Sequence, residues 1–119
     1  MVGANDPDKS IAFYDAVLGA LGIQGRRSGD SAFYGAFNQG GAFGVGKPRD
    51  GQDATFANGG TIGFAAKSKA DVDAFHAAGC ENGGSCDGEP GIRAGAPGDP
   101  YGAYLRDPEG NKICAFATG

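Results

Sequence analysis

The chain has 119 residues, a length that fits one domain and lets it bury one hydrophobic core without disulfide or metal staples. Its formal net charge is −4 and its ten Lys and Arg are scattered, which argues against nucleic acid, because phosphate contacts need clustered cations. No apolar run approaches the roughly 20 residues of a membrane span, and no charged n-region precedes an apolar h-region, so a soluble cytoplasmic protein is expected.

Asp6-Pro7-Asp8 predicts a helix start, with Asp6 as N-cap, Pro7 in the first turn and Asp8 at the positive end of the dipole. Ile11, Tyr14, Val17, Leu18 and Leu21 then form one apolar face at helical spacing, and Gly22 stops it. Ser31 to Phe37 and Ala42 to Val45 read as short strands bounded by Gly, Asn and Pro. Thr61 to Ala66 reads as a strand running into a second helix. That helix is capped by Ser68 with Asp71 three residues on, carries Val72 and Phe75 inward, and ends near Gly79. Tyr101 to Leu105 and Lys112 to Ala117 are strands joined by the tight turn Asp107-Pro108-Glu109-Gly110-Asn111. The 24 glycines lie among apolar residues throughout, which favours many turns and thin strands over disorder.

The two halves repeat at an offset of about 62, estimated by laying one helix on the other. Ala12-Phe13 falls on Ala74-Phe75, Asp6 on Ser68, and Gly3-Ala4 on Ala65-Ala66. The expectation is a single α+β domain with module one at about residues 1–50, a linker at about 51–59 and module two at about 60–119. Each module contributes strands to a curved mixed sheet, with helices outside and a cleft on the other face. Cys80, Cys86 and Cys114 form no CxxC pair and read as small packing residues in a reducing compartment. Nothing supports a Cys80–Cys86 disulfide.

Asn5-Asp6-Pro7, Ser10-Ile11-Ala12-Phe13-Tyr14, Leu18 to Gly22 and, above all, Tyr104 to Lys112 resemble the glyoxalase / bleomycin resistance / extradiol dioxygenase (vicinal oxygen chelate) superfamily. The resemblance implies two βαβββ modules, a U-shaped cleft and a homodimer. It also implies a divalent metal in many members, held by His or Glu from the first strand of each module and Glu or Gln from the last. Here those positions carry Thr61 and Cys114 in module two and fall near Gly44 in module one; the first-strand position of module one falls before Met1. No metal and no cofactor are therefore expected, since a divalent cation needs several converging N and O donors.

The expected reading is a metal-free protein that binds a small molecule in its cleft. The alternative is a glyoxalase-like lyase or dioxygenase whose metal ligands are not visible in this chain, and a third reading is a dimerisation module. Tyr104 is expected in the cleft, where its hydroxyl can donate to a ligand and its ring supplies contact area; the competing role is capping the sheet core. Thr61 offers a hydroxyl, and Tyr34 and Phe43 an apolar wall, although all three are ordinary strand residues. Cys114 shares a strand face with Lys112 and Phe116 and reads as packing rather than a nucleophile, which would need a lowered pKa. Lys47 and Arg49 are the nearest basic pair to the cleft mouth. His76 reads as a partly exposed residue of the outer helix, and Asp107 and Glu109 as turn residues.

Overall fold

The computed structural model describes residues 1–36 and 40–118. Phe37, the expected end of one strand, lies outside them. The first half contains β1 (Val2–Gly3), α1 (Pro7–Ala20), β2 (Gly25–Ser28), β3 (Ser31–Ala36) and β4 (Gly41–Gly46). The second contains β5 (Ile62–Ala65), α2 (Lys69–Glu81), β6 (Ser85–Ile92), β7 (Tyr101–Arg106) and β8 (Lys112–Ala117). Each half is βαβββ, so the α+β class and the repeat both stand. The strands form two four-stranded mixed sheets, ordered β1-β4-β3-β2 and β5-β8-β7-β6. The first strand of each half pairs parallel to its last, Val2 with Val45 and Phe64 with Ala115.

The caps act as expected: Asp6 Oδ1 accepts from the Lys9 N–H at 3.3 Å and Ser68 Oγ from the Asp71 N–H at 3.1 Å. One difference is at the end of α2, which runs through Gly79 to Glu81. Gly79 sits inside the helix because it is buried against Leu105, where a side chain would collide. Asn82 ends α2 instead, its side-chain amide donating to the Ala78 carbonyl at 2.7 Å.

The core lies between helices and sheets. Ile11, Phe13, Tyr14, Val17 and Leu18 of α1 and Val72 and Phe75 of α2 are buried with Ala32, Tyr34, Val45, Ala103, Leu105, Ile113 and Ala115 of the strands. Side chains alternate across a strand, so Lys112, Cys114 and Phe116 of β8 are left on the sheet face away from α2. An aromatic chain carries the core into the second half: Tyr14 packs on Phe43 at 4.8 Å within the first half, and Phe43 crosses to Phe64 at 5.3 Å between ring centroids. No helix is long and apolar enough to cross a membrane among the described residues.

Candidate functional site

The turn at Asp107–Asn111 sets the register of β7 against β8. Asp107 is buried; its Oδ1 accepts from the Glu109 and Asn111 backbone N–H groups, both at 2.9 Å, and its Oδ2 from the Asn111 side-chain amide at 2.8 Å. With that turn fixed, Tyr104 faces Cys114, Gly102 faces Phe116 and Arg106 faces Lys112 across the ladder. All six lie on the face away from α2.

Tyr104 is flanked by two cations. The Arg93 guanidinium lies 5.4 Å and the Lys112 ammonium 5.0 Å from its ring centroid, within the range of a cation–π contact. Arg93 is anchored by donating to the Glu89 carbonyl at 2.6 Å and the Gly91 carbonyl at 3.4 Å. Among the described residues it has no carboxylate partner. Lys112 and Arg106 share Asp87, at 3.5 and 3.0 Å. Beside Tyr104 lies a depression of about 110 Å³ lined by Arg93, Ala96, Pro100, Gly102, Cys114 and Phe116. Gly63 of β5 pairs with Cys114, and a Cβ there would lie 3.4 Å from the Cys114 sulfur and 3.2 Å from the Phe116 ring.

Burial holds the Cys114 thiol above its ordinary pKa, against the opposing pull of Lys112 and Arg93. The thiol is therefore protonated at neutral pH, and what it offers the depression is a polarisable surface rather than a nucleophile.

The five residues singled out in the sequence fall in three places. Tyr104 and Cys114 line the depression just described. Thr61 is exposed and lines a separate hollow with Met1, Val2, Asn111 and Lys112. Tyr34 and Phe43 are core residues that also edge a third, larger hollow along β5. Tyr34 is held inward by its hydroxyl, which donates to Asp15 Oδ1 at 2.8 Å. Lys47 and Arg49 sit at yet another hollow beside β1, and Lys47 pairs with Asp30 at 3.4 Å. Arg93 was not legible in the sequence, because it follows a strand with no apolar alternation. Lys112 was, two residues from Cys114 on the same face.

The match to the family model for the glyoxalase/bleomycin resistance protein/dioxygenase superfamily spans residues 1–115. The chain belongs to this superfamily. A glyoxalase/bleomycin resistance protein from Albidiferax ferrireducens T118 is 51% identical over 100% of this chain and 95% of that one, with a TM-score of 0.89. At 18% identity and a TM-score of 0.72, a family enzyme from Burkholderia phytofirmans PsJN matches 99% of this chain and 94% of its own. Lactoylglutathione lyase from Agrobacterium tumefaciens, at 22% identity and a TM-score of 0.64, matches over 98% and 88%; these two show the fold alone. No curated protein matches the chain.

The superfamily's metal does not fit the residues found at its usual positions. Gly44 has no side chain, and its place is taken by Phe33, whose ring would lie 2.7 Å from a Cβ there. Thr61 offers only a neutral hydroxyl. Cys114 lies beside two cations, Lys112 and Arg93, that repel a third. Three such positions supply no set of converging anionic or imidazole donors.

Proposed function

We propose that this superfamily member is a small-molecule-binding protein that seats its ligand against Tyr104, on the open face of β7 and β8, without a metal in that cleft. The observation that carries this reading is the Tyr104 ring between Arg93 and Lys112, beside an apolar depression and with Arg93 free of a carboxylate partner among the described residues. That chemistry suits a flat apolar or aromatic compound bearing an anionic group. The ring and Phe116 supply contact area, the Tyr104 hydroxyl a donor, and Arg93 the charge. A depression of about 110 Å³ is small against the roughly 300–1,000 Å³ of ligand pockets. The reading therefore takes a homodimer, in which a second copy closes over the half-exposed Phe116 and Phe33. A lyase or dioxygenase reading has no support from the residues at the metal positions.

A thermal-shift screen of aromatic carboxylates, run with and without chelator, tests this. A ligand at about a hundred times its dissociation constant adds about 2.7 kcal/mol of stability. The expected hit is insensitive to chelator and weakens by at least about tenfold in Tyr104→Ala and in Arg93→Ala, about 1.4 kcal/mol each. Unchanged affinity in both variants would sink the assignment, and a chelator-sensitive hit would put the metal-dependent reading first.

A further inference from the structure

A second group of chemistry-bearing side chains lies on the opposite side of module two. His76 of α2 and Cys86 and Glu89 of β6 bring a ring nitrogen, a thiol sulfur and a carboxylate oxygen within 4.8 Å of one another. Cys86 Sγ and Glu89 Oε1 are 3.7 Å apart. The His76 Nε2 is shielded from solvent and has no hydrogen-bond partner, an arrangement that costs free energy unless something satisfies the nitrogen.

The backbone explains how this group assembles. Residues three apart on a regular strand point to opposite faces, so Cys86 and Glu89 should diverge. The pairing of β6 with β7 shifts register between Cys86 and Gly88 and again between Gly88 and Gly91, and the irregularity returns both side chains to the α2 side. Asp87, next to Cys86, points to the other face by ordinary alternation, where it meets Arg106 and Lys112. Bulges that re-aim side chains in this way concentrate at functional places. Cys80 lies four residues after His76, one turn further along the same face of α2.

We propose that His76, Cys86 and Glu89, with Cys80 as fourth donor, bind a divalent cation of the zinc class between α2 and β6. The imidazole and two thiolates favour zinc over magnesium or calcium, and zinc accepts a carboxylate beside them. Donors around a tetrahedral zinc stand roughly 3.3–3.8 Å apart, so side-chain rotations close the present group onto an ion. Each coordinating thiol gives up its proton to solvent as the ion binds. Four protein donors leave no open position, so the ion ties the C-terminal half of α2 to the edge strand. This site shares no residue with the cleft around Tyr104 and stands or falls independently of it.

The test uses the full chain, reduced and stripped of metal, titrated with cobalt(II) as a spectroscopic probe and then with zinc. One cobalt per chain is expected, with a thiolate-to-cobalt charge-transfer band in the near ultraviolet that zinc abolishes and magnesium does not. Cys86→Ser and His76→Gln should each weaken binding by about a hundredfold or more, beyond the 10–100-fold of a change outside the ligand set. Cys80→Ser should cost about tenfold, because water can take one position of a zinc site. Glu89→Gln, at an exposed position, should weaken binding with the circular dichroism unchanged. A cobalt spectrum without the thiolate band overturns the proposal, as does a band that survives Cys86→Ser. A band lost in Cys114→Ser also overturns it, because the ion would then sit in the cleft.

Discussion

The Tyr14 hydroxyl donates to Asp107 Oδ2 at 2.6 Å, across 93 residues of chain and between two buried groups. That one bond joins α1 to the turn that aligns β7 with β8. Burial pushes the Tyr14 phenol well above its ordinary pKa of 10, and the Asp107 charge and the hydrogen bond push it further. Tyr34 is raised too, by burial first and then by its hydrogen bond to Asp15. Both folded pKa values lie above the unfolded one, so the folded chain holds these protons more tightly. The resulting stability is complete below about pH 10 and is lost as pH rises from there towards the folded values. Urea midpoints are therefore expected to fall above about pH 10, where unfolded tyrosines begin to ionise. Tyr14→Phe should start about 1–2 kcal/mol lower at neutral pH, the cost of an unmade buried bond, and then fall less steeply. An alkaline slope as steep as that of the parent chain would show that Tyr14 does not hold its proton in this way.

Among the elements, those that bury one face were legible in sequence and those that do not were missed. β3, β7 and β8 alternate buried apolar residues with others, and their caps and turns are explicit. All four residues of β2 are exposed, and β6 reads Ser-Cys-Asp-Gly-Glu-Pro-Gly-Ile with no buried face. Both are edge strands, fixed by pairing rather than by burial, and pairing leaves no local period. The same gap hid part of the site. Tyr104 and Cys114 followed from a turn whose length fixes the register, but Arg93 follows β6, and the facing of Tyr34 depended on Asp15 in another element. Glycines carry a further layer. The three atoms nearest a Cβ at Gly79 all belong to the Leu105 side chain, whereas one at Gly84 would meet the Phe13 ring, the Arg106 carbonyl at 2.7 Å and the Gly79 carbonyl at 3.0 Å. Gly79→Ala gains about 1 kcal/mol of helix propensity against an overpacking cost of about 1–3, a net loss of about 1 kcal/mol. Gly84→Ala has no such offset and backbone atoms cannot rotate aside, so it should lose about 2–3 kcal/mol or more in urea titrations. The reverse order of the two variants would mean that α2 and the start of β6 adjust in ways this packing does not allow.

At the scale of the molecule, the question is whether the two βαβββ units stand alone. Each supplies one helix and four strands, yet the buried residues form one cluster drawn from both. The seam between them includes the Tyr14–Asp107 bond, the Phe43–Phe64 edge contact and the Asn111 side-chain amide donating to the Gly3 carbonyl at 3.3 Å. Phe13 and Tyr14 are fully buried on α1, and Phe13 is covered partly by Gly84 of the second half. Cutting the chain between the halves would expose these rings and leave the Asp107 carboxylate short of a donor. A unit of about 60 residues is also near the size at which a hydrophobic core is marginal. The chain should therefore unfold in one transition, with far-ultraviolet circular dichroism and the near-ultraviolet tyrosine signal coinciding along a urea titration. Tyr14 and Tyr34 report on the first half and Tyr101 and Tyr104 on the second, so the tyrosine signal samples both. A fragment of residues 1–60 should show no cooperative melt. If that fragment folds, or if the two signals separate, each unit carries its own stability. The seam would then orient the cleft without being needed to form it.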